Sequence, residues 1–371
     1  SADNNVAIGY NAGTAITTGG SNVGVGYHSL LATDSGSFNI GIGKEALNAN
    51  TSGGSNIAIG VQANYGADTE SNNLGIGQAA LGSSIAGGEY NVAIGNTTLD
   101  ALTSGDYNTS IGYGSGSAVT EGDRNVFIGS LAGDVLTTGQ YNVIIGHDAG
   151  GSATDLDQSV VIGTNAGAAL TDSNDVVFIG YAAGDGHDTE TNNLGIGSAA
   201  LGGSVAGGEY NVAIGNYSLD ALTSGDYNTA VGYISGSAIT TGNNNTAIGN
   251  QSSENLTTGS DNAAAGSGSL NALTEGSDNA AFGRAALGAV TTASRNTALG
   301  RSAGLGITTG ADNIAIGYQA IDAADTEDNN LAIGRNALGG SIAGGEENVC
   351  VGRDTGSALT SGDHSTLIGY Q

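Results

Sequence analysis

Asn91-Val92-Ala93-Ile94-Gly95 is one copy of a short motif that is repeated along the entire sequence. Close copies begin at Asn5, Asn211 and Asn313, and twenty-two copies can be aligned in all. Successive copies begin seventeen residues apart, apart from three steps of eighteen. A fixed short period over a whole chain is typical of a solenoid, in which each unit contacts only its neighbours. We therefore expect one continuous domain over residues 1–371 with no internal boundary.

The first five positions of the repeat alternate in a way that predicts a β-strand. Numbering starts at the Asn: positions 2 and 4 are aliphatic in most copies, position 3 is mostly Ala or Gly, and position 5 is Gly in every copy. Such alternation is typical of a strand with one buried face, so we expect positions 2 and 4 to face the core. The Gly predicts a turn or a close approach of two backbones. The recurrent Asn predicts a ladder of side-chain hydrogen bonds from coil to coil.

A second apolar cluster follows within each repeat. Leu99 and Leu102 illustrate it at positions 9 and 12, and the segment from Thr103 to Asp106 is typical of a turn. Each 17-residue repeat is therefore predicted to be a strand, a turn, a short second strand and another turn. The predicted fold class is all-β: a single parallel β-solenoid, or β-roll, of about 22 coils with a 17-residue repeat.

Composition excludes several classes of partner. The chain has 35 acidic and 7 basic residues and a formal net charge of −28. Nucleic acid and anionic membranes are therefore not expected partners. No apolar run is long enough to predict a membrane-spanning helix, so no membrane insertion is expected. The printed sequence does not begin with Met, and we expect either a processed mature protein or a fragment of a longer fibre.

The repeat resembles a known family. The Asn-Val-Ala-Ile-Gly unit followed by a small residue is similar to the head repeats of trimeric autotransporter adhesins. Similar repeats also occur in bacteriophage tail-fibre and other surface-fibre proteins. The resemblance implies a left-handed parallel β-roll, three chains packed side by side, and binding to host surfaces or matrix proteins. The repeat of that family is shorter, so the turns of this chain are expected to be longer.

No catalytic pattern recurs in the sequence. The four histidines, His28, His147, His187 and His364, occupy distant repeats and different positions. A hydrolase needs a nucleophile, a base and an orienting group close together, and no such set recurs. We therefore expect a protein that is not an enzyme.

Calcium is the one cofactor that the sequence suggests. Three acidic turns precede Asn-Asn pairs, and their carboxylates could supply oxygen ligands. The alternative is a solvated acidic turn without an ion. The candidate ligands are Asp68, Glu70, Asp188, Glu190, Asp325 and Glu327.

Four consecutive repeats carry a large apolar residue at position 3. If positions 2 and 4 face the core, these four side chains form an outward stripe, which predicts a lateral interface with another copy. The alternative is a locally enlarged core. The four residues are Phe127, Ile144, Val161 and Phe178.

The first and last repeats predict a second interface. Open ends of a parallel ladder are templates for further pairing. We expect head-to-tail stacking of the first strand of one subunit on the last strand of the next, which makes an open filament. The residues concerned are Asn5, Val6, Ile8, Thr366 and Ile368.

The sequence as a whole predicts a non-enzymatic extracellular fibre protein that associates with itself, as a trimer or as a head-to-tail filament. The alternative is an adhesin head or phage receptor-binding module that binds surface glycans or matrix proteins. Tyr recurs at position 6 and immediately before position 1, either as stacked columns or as a binding stripe. The expected location is the extracellular space, a cell surface or a virion tail fibre.

Overall fold

The computed structural model describes residues 3–83, 87–204, 206–323, 325–340 and 344–370. Those residues form twenty-two three-residue strands and no helix, so none of their elements could span a membrane as a helix. The chain divides into two compact units, Ser1–Thr191 and Asn192–Gln371. Each unit contributes eleven coils with one strand per coil. The predicted fold class, an all-β parallel β-solenoid with a repeat of about 17 residues, is confirmed.

The strands coincide with positions 2 to 4 of the repeats. In the first unit they are β1 Val6–Ile8, β2 Val23–Val25, β3 Ile40–Ile42, β4 Ile57–Ile59, β5 Leu74–Ile76, β6 Val92–Ile94, β7 Thr109–Ile111, β8 Val126–Ile128, β9 Val143–Ile145, β10 Val160–Ile162 and β11 Val177–Ile179. In the second unit they are β12 Leu194–Ile196, β13 Val212–Ile214, β14 Thr229–Val231, β15 Thr246–Ile248, β16 Ala263–Ala265, β17 Ala280–Phe282, β18 Thr297–Leu299, β19 Ile314–Ile316, β20 Leu331–Ile333, β21 Val349–Val351 and β22 Thr366–Ile368.

Neighbouring strands within a unit pair in parallel and in register. Val92 lies opposite Thr109, and Ile94 lies opposite Ile111. The same position-for-position pairing is seen in the second unit, where Val212 lies opposite Thr229. Residues at the same position of successive repeats therefore stack directly above one another, and each position of the repeat forms a column along its unit.

The direction of the strand side chains is the reverse of the prediction. Position 3 is buried in every strand from β2 to β21, whereas positions 2 and 4 are half-buried or exposed. The prediction that positions 2 and 4 face the core is therefore wrong. The alternation itself is present, but the small residue points inward. The core has room for it because position 9 supplies the volume: Leu99 is fully buried beside Ala93, as is Leu102 at position 12.

The remainder of each coil is turn rather than a second strand. Residues at positions 7 and 9 adopt positive φ, as Thr97 (φ 52) and Leu99 (φ 48) do, which interrupts an extended conformation. Hydrogen bonds to the next coil continue nevertheless, from Leu99 N to the Ser115 carbonyl at 3.2 Å. Apart from an isolated bridge between Asp155 and Asp172, the described residues outside the strands make no β-pairing. The predicted second strand is therefore wrong, although its leucines are in the core.

The predicted Asn ladder is confirmed. The Oδ1 atom of Asn91 accepts a hydrogen bond from the Asn108 amide at 2.9 Å. The Nδ2 atom of Asn108 donates to the Gly122 carbonyl at 2.7 Å, which fixes the last turn of the same coil. Asn91 and Asn108 are fully buried, so each bond replaces water around a backbone group that would otherwise be unpaired.

The Gly that ends each strand allows close contact between coils. Gly95 has φ +142, and a Cβ atom placed on it would lie 2.2 Å from the Gly112 carbonyl oxygen. A side chain would therefore clash with the next coil and would also strain the backbone. This explains why position 5 is Gly in every repeat.

Candidate functional site

The outward side chains of the strands form an apolar surface, here called the sheet face. It consists of positions 2 and 4 of consecutive strands, and none of these residues carries a charge. Ile111 in the first unit and Ile248 in the second are 37% and 44% exposed. An uncharged aliphatic strip on a chain of net charge −28 is unusual for a surface that contacts only water.

Two columns border the sheet face. The pre-strand column is the residue immediately before position 1, and the post-strand column is position 6, directly after the Gly. Tyr90 and Tyr107 stack in the pre-strand column with ring centroids 4.9 Å apart, and Tyr210 and Tyr227 do so at 5.1 Å. The Tyr columns expected from the sequence are therefore present in these pairs, with one ring edge facing solvent.

Arginine side chains continue these aromatic stacks. The Arg124 guanidinium lies 5.4 Å from the ring centroids of Tyr107 and Tyr141 in the pre-strand column. In the post-strand column, Arg301 and Arg335 belong to the coils on either side of Tyr318, and the guanidinium of each lies 5.8 Å from the centroid of the Tyr318 ring. Cation–π contacts at these distances hold long arginine side chains in one direction.

Every basic residue of the chain lies in one of these two columns. Lysine and arginine number only 7 in 371 residues, and all of them lie at the borders of the sheet face. This distribution distinguishes the sheet face and its borders from the rest of the surface. Arg124 and Arg295 lie in the pre-strand column, and Lys44, Arg284, Arg301, Arg335 and Arg353 lie in the post-strand column.

One ion pair in the pre-strand column is well defined. Nε and an Nη atom of Arg295 donate to the two carboxylate oxygens of Asp312, each at 2.7 Å. The hydrogen bond from Arg295 holds the pKa of the Asp312 carboxyl below its ordinary value. Both side chains face solvent, so this pair contributes little to folding stability.

The four large residues at position 3 do not form an outward stripe. Phe127, Ile144, Val161 and Phe178 are all fully buried in the core of the first unit. The prediction that they face outward as a lateral interface is therefore wrong, and the alternative of a locally enlarged core fits the structure.

Glycine at position 9 explains how this core accepts four large side chains. Gly133 follows Phe127, and a Cβ atom on Gly133 would lie 2.7 Å from the Phe127 ring. Gly184 stands in the same relation to Phe178, at 2.5 Å. Position 9 is also Gly after Ile144 and Val161, whereas Leu99 follows the small Ala93. No repeat that includes both positions has a large side chain at both, as expected for a densely packed core, although some repeats, such as that of Ala230 and Gly236, have a small residue at both.

The predicted end-to-end residues lie on the outermost strands of the two units. Val6 and Ile8 of β1 are 47% and 60% exposed, and Ile368 of β22 is 76% exposed. Thr366 is also exposed, whereas the Asn5 amide donates to the Gly19 carbonyl at 2.9 Å within its own coil. Head-to-tail stacking through these strands stays a prediction.

The acidic turns do not assemble a cation site. Glu70 is buried, and its Oε2 atom accepts from the amides of Asp68 and Thr69 at 2.8 and 3.0 Å. Its Oε1 atom accepts from the Gly87 amide at 3.0 Å. The Asp68 carboxylate accepts from the Thr51 hydroxyl of the preceding coil. These oxygens are therefore occupied by donors of the chain itself.

The equivalent turn in the second unit follows the same arrangement. Glu327 accepts from the amides of Asp325 and Thr326 and, through Oε1, from Gly344 at 2.8 Å. Burial acts to raise the pKa of Glu327, but the amide hydrogen bonds outweigh it and the pKa lies below its ordinary value. Within the described ranges no group of three potential metal ligands is found, so the calcium prediction has no geometric support at Asp188 and Glu190 either.

Titratable groups with raised pKa values are dispersed rather than paired. Burial raises the pKa of the carboxyls of Asp100, Asp185 and Asp220, each at position 10 of its repeat. Burial likewise raises the pKa of the Cys350 thiol, which disfavours the reactive thiolate. A pocket of about 360 Å³ beside β22 is lined by Thr355, Leu359, Leu367, Ile368 and Tyr370, among other residues, and its lining includes no carboxylate, histidine, lysine or cysteine. None of these features combines a nucleophile with a base.

Comparison with known proteins does not identify a family. No protein family model matches the chain, and no curated protein shows significant similarity to it. The resemblance to adhesin heads therefore stays a prediction. The sheet face is what the sequence argument missed. Two patterns in the sequence indicate this surface. Positions 2 and 4 never carry a charge, and the repeats with a large residue at position 3 have Gly at position 9 wherever that position is present.

Proposed function

We propose that this chain is a non-enzymatic extracellular structural fibre protein whose copies pack side by side through the sheet face. The observation that carries the proposal is the uncharged, half-exposed aliphatic surface that runs over consecutive strands in each unit. A second copy is the partner that fits this surface, because the chain offers the same flat apolar strip on every copy. A trimer of parallel chains, as the adhesin-head resemblance implies, would turn all three strips towards a common axis.

The size of the surface is compatible with stable association. Eleven strands spaced about 4.8 Å apart and a width of about 20 Å between the bordering columns give each unit an area of about 1,000 Å², which exceeds the ~800 Å² per partner of a standard interface. Half-buried Val and Ile side chains would gain on the order of 25 cal/mol for each Å² removed from water. Charge on the remaining surface would keep the assembled fibre soluble.

An adhesin or receptor-binding module is a second candidate, and the exposed Tyr columns favour it. Stacked rings such as Tyr90 with Tyr107 present flat aromatic edges that suit sugars or extended peptides. This candidate is compatible with side-by-side packing, because the pre-strand column lies at the border of the sheet face. Binding of the full chain to a panel of surface glycans and matrix proteins would distinguish a binding module from a purely structural fibre.

The side-by-side packing is tested by placing a charge on the sheet face. Ile111→Glu puts a carboxylate on β7, and we expect it to reduce the association of the full chain measured by sedimentation velocity. Val135→Glu is the matched control, since Val135 is exposed to nearly the same extent, 36% against 37%, but lies outside the strands. The proposal requires Val135→Glu to associate like the unaltered chain. Equal association of both variants would reject the sheet face as the interface.

A further inference from the structure

The two columns that border the sheet face carry opposite charge. The post-strand column has five basic residues and no acidic one. The pre-strand column has five acidic and two basic residues, and its acids are Asp175, Asp261, Asp278, Asp312 and Glu347. Four of these acids and four of the basic post-strand residues belong to the second unit. This unit therefore presents an apolar strip with a basic border on one side and a predominantly acidic border on the other.

In two coils of the second unit the opposite charges flank the same strand. Asp278 precedes β17 and Arg284 follows it, and Glu347 precedes β21 and Arg353 follows it. Asp278 and Arg284 lie at opposite ends of their strand, and they are not among the ion pairs that the described residues form. Their charges are therefore not matched to each other within one chain. Glu347 and Arg353 differ, because Glu347 lies 2.7 Å from His364 and Arg353 lies 3.0 Å from Asp354 in the same chain.

Side-by-side packing of parallel copies brings these borders together. If copies are related by rotation about an axis parallel to the direction of strand stacking, the post-strand border of each copy meets the pre-strand border of the next. Residues that flank the same strand then lie at the same level. In an antiparallel pair the post-strand column would instead face the post-strand column of the partner. That column contains no acid that could pair with its arginines.

We propose that the two borders form an ion-pair seam between adjacent copies, in which Arg284 pairs with the partner's Asp278. The seam selects parallel over antiparallel association, because the antiparallel arrangement removes this pair. The rotational symmetry, and not the seam, excludes an axial stagger, since a shift by one coil would place Arg284 opposite Asp261 and Arg301 opposite Asp278. The seam rests on the proposed side-by-side packing and adds the element that sets direction. Charged borders around an apolar centre commonly serve specificity more than affinity.

The remaining arginines of the column are compatible with the seam. Arg301 meets the partner's Arg295 at the same level, but that guanidinium is already bound to Asp312 at 2.7 Å in its own chain. Arg335 meets the partner's Asn329 and lies one coil, about 4.8 Å, from the level of the partner's Glu347. The contacts of Arg301 and Arg335 with the Tyr318 ring hold both guanidiniums along the border.

A linear polyanion could in principle lie along the same arginine column. The acids across the sheet face and the net charge of −28 oppose its approach, whereas a second copy supplies an acidic border of matching period. The structure therefore favours a second copy as the occupant.

The seam is tested by charge reversal and exchange in the full chain. Asp278→Arg and Arg284→Asp are made singly and together, and the association constant is measured by sedimentation at 50 and 500 mM NaCl. Each single change should weaken association about threefold or more at low salt, and the double exchange should restore it. The difference should shrink at high salt, because surface ion pairs are screened. Glu275→Arg is the control: it changes the net charge as Asp278→Arg does, in the same coil, on an exposed residue away from the borders.

Five outcomes would overturn the seam. The double exchange could associate no better than the weaker single variant, or Glu275→Arg could weaken association as much as Asp278→Arg. Dextran sulfate could bind the unaltered chain and lose binding on Arg284→Asp while self-association stays unchanged, which would assign the column to a polyanion. A chain that stays monomeric at all concentrations and both salt conditions rejects the seam and the proposed function together. Association that is insensitive to all four variants rejects the seam alone.

Discussion

At the scale of the residue, the tightest constraint falls on the Gly that ends each strand. Gly95 combines a positive φ with a backbone contact that leaves no space for a Cβ atom. Gly268 also has a positive φ, +67, but a Cβ atom there would meet nothing within 4 Å. Gly95 therefore combines a clash with a φ that only Gly adopts among the described residues, whereas the φ of Gly268 is close to values that other residues of the chain adopt.

We predict that Gly95→Ala destabilises the first unit by about 3 kcal/mol or more, since the clash is with backbone and both coils must shift. Gly268→Ala in the second unit should cost only about 1 kcal/mol, the usual penalty for a side chain at positive φ. Denaturant unfolding monitored by circular dichroism measures both. Similar costs for the two changes would show that the coils are not in close contact at position 5.

The buried carboxylate of Glu327 makes the folding stability of the second unit depend on pH, and the lowered pKa determines the direction of this dependence. Because the pKa of Glu327 is lowered in the folded chain, its contribution to stability is present above the unfolded value of about 4.3 and is lost as pH falls through the folded value. We expect Glu327→Gln to lower the melting temperature at pH 7 and to differ less from the unaltered chain near pH 3. The exposed Glu275→Gln is the control and should show no such pH-dependent difference. A constant difference at both pH values for Glu327→Gln would contradict the assignment.

At the scale of the element, a coil is specified by complementary volumes at positions 3 and 9. Phe127 fills the core against Gly133, whereas Ala93 leaves space that Leu99 fills. Leu99 adopts φ 48 and Gly133 adopts φ 57, so the backbone at position 9 accepts either residue. The two combinations are therefore alternative solutions to the same packing problem.

We predict that Phe127→Ala costs about 3–5 kcal/mol, because it leaves a cavity beside Gly133. Adding Gly133→Leu recreates the combination seen at Ala93 and Leu99, and it should recover at least about half of the loss. Gly133→Leu alone should be destabilising, because its side chain would overlap the Phe127 ring. Denaturant unfolding of the three variants provides the measurement. A double variant less stable than Phe127→Ala would contradict the exchange of volumes.

The sequence predicts the elements better than it predicts their orientation. The period identifies the solenoid, the strand positions and the Asn ladder, because each depends on local spacing alone. It does not determine which side of a three-residue strand is inward, since alternation is satisfied by either choice. Aliphatic character at positions 2 and 4 favours the wrong choice, and the outward stripe assigned to Phe127 and Phe178 follows from that error. Position 9 resolves the choice only when it is compared with position 3 in every repeat.

At the scale of the whole molecule, charge and apolar surface are separated. The 42 charged residues, 35 acidic and 7 basic, are absent from the two outward positions of all strands, although these positions are not buried in the core. Acidic side chains elsewhere keep the chain soluble, and the basic residues line the borders of the sheet face. If other copies of the chain cover the sheet face, this distribution keeps charged side chains out of the buried contact.

The most direct test of this account is the mass of the unaltered full chain in solution. Sedimentation equilibrium over a range of micromolar concentrations should give a species at an integral multiple of 35.9 kDa, and a trimer is expected if the chains surround a common axis. Side-by-side packing also predicts that this species is less stable to dilution when Ile111 is replaced by Glu. A single species of 35.9 kDa at every concentration would contradict the account, because the sheet face would then be a surface exposed to water.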